Sequence, residues 1–351
     1  MKGRVVLLDE VAGRKAAALM VDGRLQDLLV DPTDAMPPAP GTIFRAVAER
    51  PMKGQGGITL RLPEGRAYLR QAKGIAPGEV MLVQVTGTTE PGKAVPVSPK
   101  LLFKSRYAII TPGAPGLNIS RAIKDEAERD RLLEIAHTAM DGADEGFGLI
   151  LRSAAEEVDE DALSEDITAM RNAAEAVTRD VAGDPECLMD APNAHDLAWR
   201  DWSLPDPDEV ISAPGCFADH GVLDAVDTIL STVQPIAGGG TAVVEPTRAL
   251  VAVDVNTGAD TSFAAGLKAN MALARDLPRL LRIKGLAGQI VLDLAPMPKK
   301  DRRGFEAALR KAFREDGSDA VLAGWTPLGN YELQRKRDRF PLHVLWPTDL
   351  R

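Results

Sequence analysis

The decapeptide ALVAVDVNTG at residues 249–258 decides how the rest of this chain is read. Val251, Val253 and Val255 alternate with Ala252, Asp254 and Asn256. A period of two, rich in β-branched residues, predicts a strand with Asp254 and Asn256 on one face, closed by a Thr-Gly turn. Residues 289–294, QIVLDL, predict a second strand with Asp293 near its C-terminal end. If the two strands are neighbours, two carboxylates and an amide converge at one edge of a sheet. Such hard oxygen ligands suit Mg²⁺, which takes one or two carboxylates, keeps several waters and is completed by substrate phosphate. The competing reading is that each aspartate caps a strand end beside a turn. Between the strands, Leu267, Met271, Ala274, Leu277 and Leu281 recur at helical spacing. Pro278 lies inside that helix, so a kink and a shift of strand register are expected.

These motifs, VAVDVNTG, the helix with Asn270, and RLLRIKGLAGQIVLDL, resemble the catalytic subdomain of the ribonuclease E/G family. The resemblance implies that Asp254 and Asp293 hold Mg²⁺ and that Asn256 supports the site. It also places Arg279, Arg282 and Lys284 between the motifs as the family does. Two departures stand out: Pro296 replaces a second acidic residue of the strand, and residues 317–320, GSDA, replace an Arg-rich turn.

The chain has 351 residues, 45% of them hydrophobic, enough for two or three packed domains. No apolar run approaches the roughly 20 residues of a membrane span, and the N-terminus does not read as a signal peptide. Cys187 and Cys216 lack metal-like spacing and are expected to be reduced, buried thiols of a cytoplasmic protein. His137, His195, His220 and His343 show no ligand spacing either. Net charge is −9, yet residues 254–351 carry 17 Lys/Arg against 12 Asp/Glu. That basic segment is compatible with a phosphate-facing region, and ordinary surface charge is the alternative.

Residues 2–31 read as paired strands with Asp22-Gly23 as a turn. A Pro-rich link, PTDAMPPAP at 32–40, marks a boundary. Five or so short strands then suggest a small barrel. At these positions the family carries an S1-like OB-type RNA-binding barrel. Tyr68 falls where it has a stacking aromatic, Lys93 where it has a loop lysine, and Ile58 replaces a second aromatic, so stacking is expected to be weaker. A half-buried barrel residue is the other reading of Tyr68. The region from SRYAIITPG onward resembles the family's 5′-sensor subdomain. Arg152 and Ser153 match its phosphate-reading pair, a guanidinium fork beside a hydroxyl, with Arg121 a weaker contact. Pairing of Arg152 with a neighbour is the alternative. Residues 183–240 match poorly and read as loops round one short strand (EVISA), followed by a helix, LDAVDTILSTVQPI. Arg279, Arg282, Arg302, Arg335 and Arg337 are candidate phosphate contacts, with a solvated charged face as the alternative.

The expected fold is α/β (α+β multidomain). It comprises an N-terminal hairpin of a ribonuclease-H-like domain (1–34), an OB-type barrel (41–104), a 5′-sensor subdomain (105–182), the remainder of the ribonuclease-H-like domain (183–240) and a deoxyribonuclease-I-like catalytic subdomain (241–351). The expected function is Mg²⁺-dependent endonucleolytic cleavage of single-stranded RNA in the cytoplasm. The rivals are a non-catalytic RNA-binding or regulatory protein on the same fold and a DNA nuclease. No CPxCxG zinc-link or small dimerisation domain precedes Arg351, so no zinc is expected, and a monomer rather than the family tetramer.

Overall fold

A computed structural model describes residues 2–51, 56–70, 73–237 and 239–347. The chain forms two compact units, one from residues 1–33 and 208–351, the other from 34–207. The Pro-rich stretch at 32–40 spans their junction.

In the first unit, strands Arg4–Val11, Arg14–Val21 and Arg24–Val30 form an antiparallel meander, and Glu209–Ile211 adds in parallel beside the first. Both hairpins turn on two residues with positive φ, Ala12-Gly13 and Asp22-Gly23. Such turns match the right-handed twist of the strands they join.

The same unit contains a six-stranded sheet. Its order is Val233–Ile236, Gly240–Pro246, Val251–Asn256, Gly288–Asp293, Tyr331–Arg335 and Ala320–Trp325. Only the central pair is parallel, and helix Phe263–Ile283 joins it. Val251, Val253, Val255, Ile290 and Leu292 point into a core shared with Leu273, Ala274, Leu277, Leu281, Phe305 and Leu309. Helices Phe263–Ile283 and Arg302–Asp316 therefore cover one face, and the strand residues between those valines lie on the other. The segment expected to be one helix through residue 236 divides: helix Val222–Leu230 stops, and Val233–Ile236 pairs as an edge strand. Pro235 is tolerated there because an edge strand leaves one side of its ladder open. Pro278 does not break its helix, which runs on to Ile283. A Schellman-type end follows, with Leu286 N–H donating to Leu281 carbonyl at 2.9 Å and Gly285 in the left-handed region.

The second unit holds a closed five-stranded barrel of Ile43–Pro51, Ile58–Arg61, Arg66–Leu69, Val95–Ser98 and Val80–Val85, consistent with an OB-type fold. Ala46, Ile58, Leu60, Ala67 and Val83 fill it. Strand Glu186–Met189, in a segment read as loop, pairs antiparallel beside the start of the barrel's first strand. Beside it, helices Glu126–Ala139 and Glu160–Arg179 pack on a four-stranded sheet containing Ala108–Pro112 and Phe147–Leu151. Asp159 caps the longer helix by accepting from the Asp161 and Ala162 amides. Cys216 is buried, but Cys187 is exposed, contrary to the expectation of two buried thiols. It lies on the edge strand Glu186–Met189, where one face meets solvent. Among the described residues no helix is long and apolar enough to cross a membrane.

Candidate active site

Because Val253 and Val255 are spent on the core, Asp254 and Asn256 emerge together on the open face of the six-stranded sheet. The adjacent parallel strand does the same with Leu292 inward and Asp293 outward. The register sets Asp254 directly beside Asp293. Hydrogen-bonded strands run about 5 Å apart, so two exposed carboxylates share one spot at the C-terminal ends of two parallel strands. Ligands of α/β sheets commonly bind at such ends. Asn256 Nδ2 donates to Asp254 Oδ2 at 2.8 Å, which fixes one carboxylate oxygen and leaves the other open.

Asn270, on the connecting helix, is fully buried. Its Nδ2 donates to the Ala295 carbonyl at 2.8 Å, and its Oδ1 accepts from the Ala295 amide at 3.1 Å. This two-way bond holds the chain where it leaves the sheet, two residues beyond Asp293. The helix also closes tightly on that exit, since a Cβ at Gly266 would collide with the Pro296 carbonyl oxygen. Neither residue was assigned a role from sequence. Asn270 carried a legible signal, because it interrupts the buried stripe of Ala269, Leu273, Ala274 and Leu277.

The donor set fits a hard cation held by few protein groups. No Lys or Arg pairs with Asp254 or Asp293 among the described residues. Nor do three His, Cys, Asp or Glu side chains close round one point there. An ion at this pair would be completed by water and substrate, as Mg²⁺ is.

The candidate cations divide. Arg279 is bidentate to Asp276 and donates to the Leu25 carbonyl. Arg282 binds Asp316, Asp27 and the Gln26 carbonyl. Arg335 is 2% exposed and engages Asp338 and the Leu286 carbonyl. These three side chains are turned inward onto carboxylates and backbone carbonyls of the protein. Arg302 lies over the Trp325 ring, 4.1 Å from its centroid. Arg337 and Arg121 are exposed. Asp27 sits between Arg339 and Arg282; burial pushes its carboxyl up, but the two guanidinium groups hold it below the usual range.

In the second unit, Tyr68 pairs with Thr59 on the adjacent antiparallel strand and is half-buried. Its ring lies so close to Gly57 that a Cβ there would sit 2.6 Å from ring carbons. Ile58 is wholly inside the barrel and offers solvent no surface. Lys93 is exposed and pairs with Glu90 at 2.9 Å. Arg152 donates to the carbonyls of Ser105, Arg106 and Arg200 and to Asp201 at 3.0 Å. Ser153 opens a short 3₁₀ turn beside it.

A sequence profile described as the Ribonuclease E/G family matches residues 103–214 and 211–338. Ribonuclease E of Nostoc sp. is 28% identical over 326 residues, covering 82% of this chain and 47% of that protein. Ribonuclease G of Escherichia coli K12 is 27% identical over 315 residues, 77% of this chain and 62% of that protein. Ribonuclease E of Synechocystis sp. is 26% identical and covers 80% and 48%. The chain thus spans about half to three-fifths of the length of these curated relatives.

Proposed function

This chain belongs to the ribonuclease E/G family, and on that premise we propose that it is an endoribonuclease that cuts single-stranded RNA using Mg²⁺ held by Asp254 and Asp293. The register that sets those two carboxylates side by side carries the reading. Mg²⁺ held by Asp254 and Asp293 would supply Lewis acidity and, by lowering the pKa of a water, a better nucleophile, chemistry that would break the P–O3′ bond and leave a 5′-phosphate and a 3′-hydroxyl. Asn256 holds the Asp254 carboxylate in one orientation, and Asn270 holds the strand exit that positions Asp293. Preorganisation of this kind is what electrostatic stabilisation of a charged transition state requires.

Exposed Arg121 and Arg337, and Arg302 on its indole, are proposed phosphate contacts. Tyr68 and Lys93 on the barrel would take a base and its phosphate, as OB-type barrels do. We read residues 105–182 as a 5′-sensor subdomain that follows the barrel, the two together inserted between ribonuclease-H-like segments (1–34 and 183–240), with a deoxyribonuclease-I-like catalytic part after them (241–351). Arg152, which donates to Asp201 at 3.0 Å, and Ser153 are the proposed readers of a 5′-phosphate.

The test is cleavage of a 5′-monophosphorylated, A/U-rich single-stranded RNA by the full chain with Mg²⁺, with EDTA, and by Asp254→Ala and Asp293→Asn. Internal cuts that need the metal and vanish in both folded variants are expected. Equal cleavage by Asp293→Asn would remove the metal assignment. RNA binding with no cut by the native protein would make it a non-catalytic RNA-binding protein.

A further inference from the structure

A third carboxylate stands on the open face of the six-stranded sheet, beside the pair Asp254 and Asp293. In strand Tyr331–Arg335, Tyr331 and Leu333 are spent on the core, so Glu332 between them emerges on the face that bears the pair. The register sets Glu332 opposite Val291, two residues before Asp293 on the adjoining antiparallel strand. Glu332 and Asp293 are therefore diagonal neighbours, roughly 7–8 Å apart and within reach of a long side chain. Glu332 is half-buried, and its carboxylate makes no hydrogen bond or ion pair among the described residues. Such a group has lost part of its water without gaining a protein partner, which costs free energy unless positive charge arrives from outside. On its other side the register partner is Gly324, which has no side chain to offer. Asp293 likewise lacks a partner, whereas Asn256 already holds one oxygen of Asp254.

We propose that Glu332 is the third carboxylate of the ion site, gripping a cation at Asp254 and Asp293 through one of that cation's waters. This rests on the metal assignment made above. Among the described residues no three acidic side chains close directly round one point, so the third contact runs through water. Mg²⁺ suits that arrangement, because it dehydrates reluctantly and keeps several waters when carboxylates bind it. Glu332 is thus a positioning residue, which turns the water shell on the Asp293 side and leaves the phosphate to other groups. Outer partners of this kind commonly change metal affinity or activity by about 10–100-fold. Three negative charges on one face also hold the ion before any RNA arrives. The opposite flank supplies an internal comparison. Glu245 lies diagonal to Asp254 in the same way, opposite Ala252, but it is exposed and keeps its own water.

The experiment titrates Mg²⁺ by calorimetry, and Mn²⁺ by its electron paramagnetic resonance signal, into the full chain without RNA. Cleavage of single-stranded RNA in Mg²⁺ is measured in parallel. The variants are Glu332→Gln, Asp293→Asn and Glu245→Gln, the last removing the same charge at the mirrored position. Unfolding midpoints confirm that each is folded. Native protein and Glu245→Gln are expected to bind the ion with affinities within about twofold, since salt screens an exposed charge over that distance. Glu332→Gln is expected to bind about tenfold more weakly, and Asp293→Asn to lose binding. Affinity that Glu332→Gln leaves unchanged, or lowers no more than Glu245→Gln does, overturns the third carboxylate. So does an absence of ion binding without RNA. In either case Mg²⁺-dependent cleavage by native protein leaves the nuclease reading standing. Tenfold weakening confined to Glu332→Gln, with no RNA cut by native protein, upholds the third carboxylate and overturns the nuclease reading.

Discussion

Replacing Asn270 by Leu keeps the volume of a fully buried side chain but removes both hydrogen bonds to Ala295, itself 5% exposed. The Ala295 amide and carbonyl are then orphaned in the core. Two lost bonds at about 1 kcal/mol each, or two orphaned groups at about 1–3 kcal/mol each, bracket the cost at about 2–6 kcal/mol. For a unit of this size, residues 1–33 with 208–351, each kcal/mol lowers the unfolding midpoint by roughly 2–4 °C. Calorimetry should therefore show the transition of that unit falling by about 4–24 °C. Well below that transition the folded variant should still cleave RNA more slowly, because the exit two residues past Asp293 is released and a misplacement of about 1 Å costs up to about a hundredfold. A midpoint within about 2 °C of the native value would mean that the bonds do not secure the exit. Native cleavage rates in a destabilised variant would confine Asn270 to folding.

Asp27→Ala should destabilise the same unit by about 3–5 kcal/mol, measured by denaturant unfolding, because Arg282 and Arg339 lose a buried counter-charge. The folded carboxyl lies below its unfolded value, so its contribution is present above about pH 4 and is lost as pH falls through the folded value. Asp27→Asn should correspondingly flatten the acid limb of a stability–pH curve. Burial pushes the Lys284 ammonium, which donates to the Ile229 and Ser231 carbonyls, down to about 8 from 10.5. Between those values the unfolded chain binds more protons, so stability should rise with pH across that window, and Lys284→Met should abolish the rise. Gly57→Ala should push the Tyr68 ring outward and weaken RNA binding by the barrel several-fold, read by titration with a single-stranded oligonucleotide, while leaving cleavage chemistry unchanged.

The strands of the catalytic sheet were legible because alternation along Val251–Asn256 and Gly288–Asp293 records which face each residue must bury. The barrel was legible too, as short apolar runs between turn residues, although one further strand, Glu186–Met189, was missed because it is only four residues long in a Pro- and Asp-rich stretch. The break at Leu230 was missed for the opposite reason: residues 222–236 are apolar enough to serve as either helix or strand, and pairing with Gly240–Pro246 decided between them.

The sequence by itself determined that two aspartates and an asparagine end up at strand ends on a polar face, since period-two patterning is a local property. Only the tertiary structure decided that Asp254 and Asp293 are neighbours, because parallel pairing is made through a helix whose length and exit set the register. It also decided which arginines are paired within the protein. Arg282 meets Asp27 and Arg335 meets the Leu286 carbonyl through contacts distant in the chain, while Arg121 and Arg337 stay exposed. A guanidinium in a linear sequence shows its charge but not its partner, and burial makes the chain complete that partnership internally before any phosphate arrives.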